Sequence, residues 1–257
     1  MKTSQTLGVA IVRFFVCCHV VVLGALAFFY LPRDLRPYVD VVAFASIGAL
    51  VLLVFFLLSL GLFRDADGVP EGRLRSANKL TLIRFGLVVP LILTILHERF
   101  GLALALYVVC CATDVVDGVV ARRNREQTQF GVIMDPLADI LSTAGVFAAL
   151  CVKDLVPPWV LVILAIRYAS LMVGSAVLFF AVGPIKFKAT PTGKIVGVLQ
   201  AAVAILIIGL TAAGVDWQKD IGSILYPFLG MIFGSVIISQ LVIGIRHVKE
   251  GAANAGS

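Results

Sequence analysis

Apolar residues in this chain come in runs of about twenty, the length a helix needs to cross a hydrocarbon layer. Eight runs stand out, at residues 8–31, 38–63, 79–97, 101–121, 131–152, 158–182, 194–214 and 222–245, with short polar connections between them. In lipid a spanning segment must close its backbone hydrogen bonds internally, so each run is expected to be a helix. Of the 257 residues, 60% are hydrophobic and the mean hydropathy is +1.05. A soluble domain is roughly 45–50% apolar. The expected fold is an all-α integral membrane protein of about eight transmembrane helices. A two-helix N-terminal extension (1–64) precedes a six-helix body (65–250), and a flexible polar tail (251–257) follows.

Charge orients the chain in the bilayer. Lys2, the basic residues of 64–79, 122–125 and 186–194, Arg246 and Lys249 give thirteen cations on one side. The other side has five: Arg33, Arg36, Arg99, Lys153 and Lys219. This asymmetry places both termini and the Arg122–Arg125 loop in the cytoplasm, in the inner (cytoplasmic) membrane of a cell. The net charge of +6 serves orientation and anionic headgroups, so no nucleic-acid partner is implied. Five cysteines, all in apolar runs and without metal spacing, are expected to be small packing residues. The apolar run passes beyond the cleavage-like Ala25-Leu26-Ala27 to Leu31, which favours a retained first helix over a cleaved signal peptide.

Within this apolar chain, Asp114, Asp117, Asp135 and Asp139 lie at or near membrane depth. A charge there costs about 3 kcal/mol on insertion scales, which makes each a candidate functional group. Asp114, Asp117, Gly118 and Ala121 are spaced i, i+3, i+4, i+7 and share one helical face, with Arg122 at its cytoplasmic end. Asp135 and Asp139 share a face of the next helix, an antiparallel neighbour across a short loop. Two opposed carboxylate pairs suit hard cations, Mg²⁺ or Mn²⁺. Two such ions about 3.5–4 Å apart clamp both sides of a phosphoryl displacement. Purely structural uses exist for single residues. Asp135 before Pro136 has the form of a helix N-cap, as does Asn78 at the start of its run, and Arg84 or Arg122 can neutralise the acids.

The stretch Asp114-x-x-Asp117-Gly118-x-x-Ala121-Arg122, eight residues, Gly131-x-x-x-Asp135-x-x-x-Asp139 resembles the signature of the CDP-alcohol phosphotransferase family (CDP-alcohol phosphatidyltransferases), without substitution. The resemblance covers about residues 70–250. It implies transfer of a phosphatidyl group from CDP-diacylglycerol to an alcohol, with release of CMP, in phospholipid synthesis. It assigns Asp114, Asp117, Asp135 and Asp139 to a two-metal site, with Asp139 also the base that takes the acceptor hydroxyl proton. Gly118 and Ala121 would leave room for the cytidine nucleotide, Arg122 would meet its phosphates, and Thr128 matches a further nucleotide contact. Asn78-x-x-Thr81-x-x-Arg84 resembles the family's opening of its first core helix, which makes Asn78 and Thr81 donor-binding candidates. The resemblance also implies a homodimer in a lipid bilayer.

The acceptor is less sharply marked. Arg167 in the sixth run and Lys194 at the mouth of the seventh suit a phosphate-bearing acceptor. Gly193, Lys194 and Gln200 are similar to a stretch of phosphatidylglycerophosphate synthases, which makes glycerol 3-phosphate the first choice. Val196, Gly197, Tyr168 and Ile140 depart from that pattern and leave inositol phosphate, phosphatidylglycerol or serine open. An ion- or proton-coupled transporter also uses intramembrane aspartates, but has no need of Gly118, Ala121 and Arg122 at these spacings.

Overall fold

The computed structural model describes residues 7–20, 35–58, 76–124, 129–182 and 191–238 apart from 236. Those residues form helices and turns, with no strand among them. The helices are α1 (residues 7–20), α2 (Leu35–Leu58), α3 (Ser76–Leu96), α4 (Phe100–Asn124), α5 (Gln129–Val152), α6 (Pro158–Val182), α7 (Pro191–Ala212) and α8 (residues 222–235). The all-α expectation is met. Most of the 64–78 connection and the tail 251–257 lie outside the described residues. By length and composition, Asn78–Leu96 in α3 and Ile195–Ala212 in α7 suffice to cross a membrane. The other six helices contribute described apolar stretches of 10–17 residues.

Two residues with the form of a helix N-cap are not caps. Because α5 begins at Gln129, Asp135 and Pro136 lie well inside it, and the N-cap reading of Asp135 fails. Asn78 is likewise two residues inside α3 and buried, so it is not the cap of that helix.

The chain divides into two compact units, Met1–Ala149 and Leu150–Ser257. In the first, α3 is the central helix. A three-residue turn, His97 to Arg99, reverses the chain into α4, which packs along α3. Gly48 lets α2 approach α3 closely, since a Cβ there would sit 2.7 Å from Val89 Cγ2. Gly145 of α5 faces Ile92 in the same way. Pro90 inside α3 withholds the backbone donor that Gly86 would otherwise receive.

In the second unit the connections carry the polar bonds. Tyr226 Oη donates to the Leu155 carbonyl at 3.2 Å, and Gln218 Nε2 to that of Asp154 at 2.7 Å. Trp217 Nε1 donates to Thr211 Oγ1 at 3.1 Å. The first two tie the turn before α6 to α8 and the turn before it, and the third ties that second turn back to the end of α7.

Three helices stop by the same device. After α7, Gly214 has φ +71°, with Gly214 N–H donating to Thr211 and Val215 N–H to Leu210. This is the Schellman pattern, which satisfies the last carbonyls of the helix. Glu98 after α3 and Asp154 after α5 hold the same left-handed conformation without being glycine.

Gly48→Ala should force α2 from α3, because Val89 is β-branched and stiff in a helix. We expect a loss of about 1–3 kcal/mol. Gly197→Ala, whose Cβ would meet nothing within 4 Å, should not lower stability. Thermal unfolding of both variants in the same detergent checks the contrast.

Candidate active site

The polar face of α3 builds the site. Asn78, Thr81 and Arg84 follow at i, i+3, i+6, and all three are buried in a helix whose remaining residues are mostly apolar. Uncompensated burial of a guanidinium costs several kcal/mol, so Arg84 requires an acid. It finds Asp114 on α4, with Arg84 Nη1 2.8 Å from Asp114 Oδ1. One turn earlier on α3, Thr81 Oγ1 donates to Asp135 Oδ1 on α5, also at 2.8 Å. The polar residues of α3 thus reach one carboxylate on α4 and one on α5.

The two partners of α3 differ in exposure. The Arg84 side chain is 2% exposed, whereas that of Asp114 is 56% exposed. The acid therefore presents a second oxygen outward while its first meets the cation. Asp135 is half-buried and Asp139 is exposed. Asp139 lies one turn beyond Asp135 on α5, and its carbonyl accepts from Ser142 Oγ at 3.1 Å. Two of these carboxylates, Asp114 and Asp135, are thus each held by a buried donor of α3.

Asp117, Gly118, Ala121 and Arg122 lie on the last turns of α4, and their side chains are outside the described ones. Thr128 lies outside the described residues altogether. Among the described residues no three Asp, Glu, His or Cys side chains are gathered closely enough to hold a metal ion.

The sequence-named acceptor residues belong to the second unit. Arg167 of α6 is buried, and its Nη1 donates to Gln200 Oε1 of α7. Its guanidinium carbon lies 5.2 Å from the Tyr168 ring centroid and 6.0 Å from that of Phe233 on α8. Buried Gln200 Nε2 has no hydrogen-bond partner among the described residues. Lys194 lies in the first turn of α7, with its side chain outside the described ones.

Two contacts were not legible beforehand. Thr81, a donor-binding candidate by resemblance, donates its hydroxyl proton to Asp135. Gln200 was one letter in a partial motif, and the structure makes it the acceptor for Arg167.

Residues 74–239 match the family model described as CDP-alcohol phosphatidyltransferase. That is more than half of the chain, and the chain belongs to this family of transferases. A Rickettsia typhi protein named CDP-diacylglycerol–glycerol-3-phosphate 3-phosphatidyltransferase is 30% identical over 165 residues, covering 61% of this chain and 91% of that one. A Mycobacterium tuberculosis protein (strain CDC 1551 / Oshkosh) named probable phosphatidylglycerophosphate synthase is 27% identical over 199 residues, covering 74% and 88%. A Drosophila melanogaster protein named probable cardiolipin synthase (CMP-forming) is 30% identical over 155 residues, covering 55% of this chain and 48% of that one, about half its length. No solved structure matches the chain.

Thr81→Val should separate activity from stability. The lost hydroxyl leaves a half-buried acid that water can reach, so stability should fall by only about 0.5–1.5 kcal/mol. Removing the hydrogen-bond partner of a site carboxylate should lower turnover by about 10–100-fold, the range for outer-shell partners. Turnover of the purified variant against its melting temperature checks this.

Proposed function

We propose that the protein transfers the phosphatidyl group of CDP-diacylglycerol to glycerol 3-phosphate and releases CMP. The observation that carries this reading is the polar face of α3, which holds Asp114 of α4 and Asp135 of α5 within the family-matched region. The names of the Rickettsia and Mycobacterium relatives support the acceptor.

Divalent cations fit the donor set. Asp114, Asp117, Asp135 and Asp139 offer oxygen only, with no His among them, as Mg²⁺ or Mn²⁺ requires. The exposure of Asp114 leaves its carboxylate accessible for such ligation, and Asp139 is exposed as well. Bound metal would polarise the diphosphate and offset charge on the departing CMP. The chain's own residues supply the rest. Asp139 takes the proton of the acceptor hydroxyl, whose oxygen bonds to the phosphatidyl phosphorus as the bond to CMP breaks. Gly118 and Ala121 make room for the nucleotide, Arg122 meets its phosphates, and Asn78, Thr81 and Thr128 are further donor contacts. Arg167 and Lys194 serve the phosphate of the acceptor.

The same reading makes the protein an eight-span homodimer of the cytoplasmic membrane with its site facing the cytoplasm. Large apolar side chains stand exposed on many helices, among them Val16, Leu50, Val115, Val162, Val198 and Ile224. Such a surface suits hydrocarbon rather than water. A second reading, with phosphatidylglycerol as acceptor, is favoured by the Drosophila relative's name.

The test is purified protein with CDP-diacylglycerol and a panel of glycerol 3-phosphate, phosphatidylglycerol, inositol phosphate and serine, read by product mass. Phosphatidylglycerophosphate should be the product, and cardiolipin would favour the second reading. Chelation should abolish CMP release and Mn²⁺ or Mg²⁺ should restore it; full turnover in excess chelator would sink the two-metal reading. Asp139→Asn should cost at least ~10²-fold in turnover, the lower range for a lost general base.

Arg167→Ala should raise the acceptor KM by about 10- to 100-fold and the donor KM much less, because a charged hydrogen bond to phosphate is worth roughly 1.5–3 kcal/mol. Saturation curves for each substrate decide the matter. Equal changes in both would reduce Arg167 to a packing cation of α6–α8.

A further inference from the structure

The family match begins at residue 74, so α1 and α2 lie outside it. Their side chains are nevertheless central to the first unit. Leu7, Ile11 and Phe15 of α1 and Phe56 of α2 are buried in one apolar cluster. The opposite side of that cluster is Leu82 and Phe85 of α3 with Met134 and Ala138 of α5. Phe56 is fully buried, with its ring centroid 5.6 Å from Phe15 and 5.1 Å, edge-on, from Phe85.

The register of these contacts is informative. Leu82 follows Thr81, and Phe85 follows Arg84. Met134 precedes Asp135, and Ala138 precedes Asp139. Successive residues on a helix are turned by roughly 100°, so each cluster residue adjoins a site residue on the same turn. Packing on the cluster side therefore fixes how far α3 and α5 are rotated where Thr81 meets Asp135 and Arg84 meets Asp114. Lipid chains could cover the same apolar surface but would not hold one rotation, because they supply no fixed complementary shape.

We infer that α1 and α2 are a positioning element for the carboxylate site, with Phe56 and Phe15 as positioning residues acting through Phe85, Leu82, Met134 and Ala138. The metal and activity arms of the test rest on the function proposed above; the packing arm does not.

The experiment uses the full chain in lipid nanodiscs. Mn²⁺ affinity is read by the electron paramagnetic resonance of free Mn²⁺, alongside CMP release and melting temperature. Phe56→Ala should weaken Mn²⁺ binding by about 10-fold, the low end for outer-shell losses, and lower kcat more than it raises either KM. Phe56→Leu should recover most of both. Phe147→Ala, an equally buried ring of α5 outside the cluster, should lower the melting temperature and leave Mn²⁺ affinity unchanged. If Phe56→Ala does not fold, Phe56→Val and Phe15→Ala decide, and wild-type Mn²⁺ affinity in both overturns the inference. Independently of metal, the melting shifts of Phe56→Leu and Thr81→Val should be non-additive, since one packing holds the other's bond. Additive shifts overturn the inference even if activity is lost. A wild-type protein that neither binds Mn²⁺ nor releases CMP overturns the proposed function instead and leaves the melting cycle to judge the positioning role.

Discussion

A guanidinium buried in an apolar helix dictates much of what surrounds it. Arg84 is almost wholly covered, and a charge so placed must be neutralised by a partner held close. The partner is Asp114 on α4, so the ion pair joins α3 to α4 beside their packing. Because Asp114 is itself more than half exposed, the attraction is not sealed from solvent on both sides. The arginine anchors, and the aspartate faces outward. A carboxylate steadied from behind and open in front is well disposed to bind a cationic ligand.

The second unit has a counterpart. Arg167 on α6 is also buried, but its described partners are the neutral Gln200 of α7 and the rings of Tyr168 and Phe233. An amide oxygen and ring faces stabilise a cation without cancelling its charge. Arg84 is matched by an acid, whereas Arg167 keeps more of its positive potential. That difference is what the proposed acceptor role of Arg167 rests on, since a cation not cancelled by an acid can meet a phosphate.

Much of this was legible in the sequence. Lipid-length apolar runs located every helix, and α6 coincides with its expected range of 158–182. The starts of α2, α3 and α7 fall three residues earlier than the apolar runs suggested. Their first turns, Leu35-Arg36-Pro37, Ser76-Ala77-Asn78 and Pro191-Thr192-Gly193, are helical but not uniformly apolar, so hydropathy does not register them. The same blindness produced the N-cap reading of Asp135, because Asp-Pro resembles a helix start whether or not a helix is already under way. The candidate carboxylates stand out in the sequence because charge in an apolar run is conspicuous. The Thr81–Asp135 bond was not, since it joins residues 54 positions apart and a threonine carries no such signal.

The least legible feature is the cluster behind the site. Leu7, Ile11, Phe15 and Phe56 look like any apolar residues in a spanning run, and nothing in their spacing distinguishes a neighbour helix from lipid. In water, burial itself would single them out, because apolar side chains leave the solvent together. In hydrocarbon that signal vanishes, and only shape complementarity tells a packed face from a greasy one. Hydropathy therefore identifies which helices lie in the membrane and is silent on which faces meet. What resolves the faces is polar chemistry, and here α3 supplies it. Its polar side commits it to α4 and α5, and what remains of its circumference, Leu82 and Phe85 included, is left for α1 and α2. The charged pair thus orders the apolar packing by elimination, and the apolar packing in turn holds the pair in register.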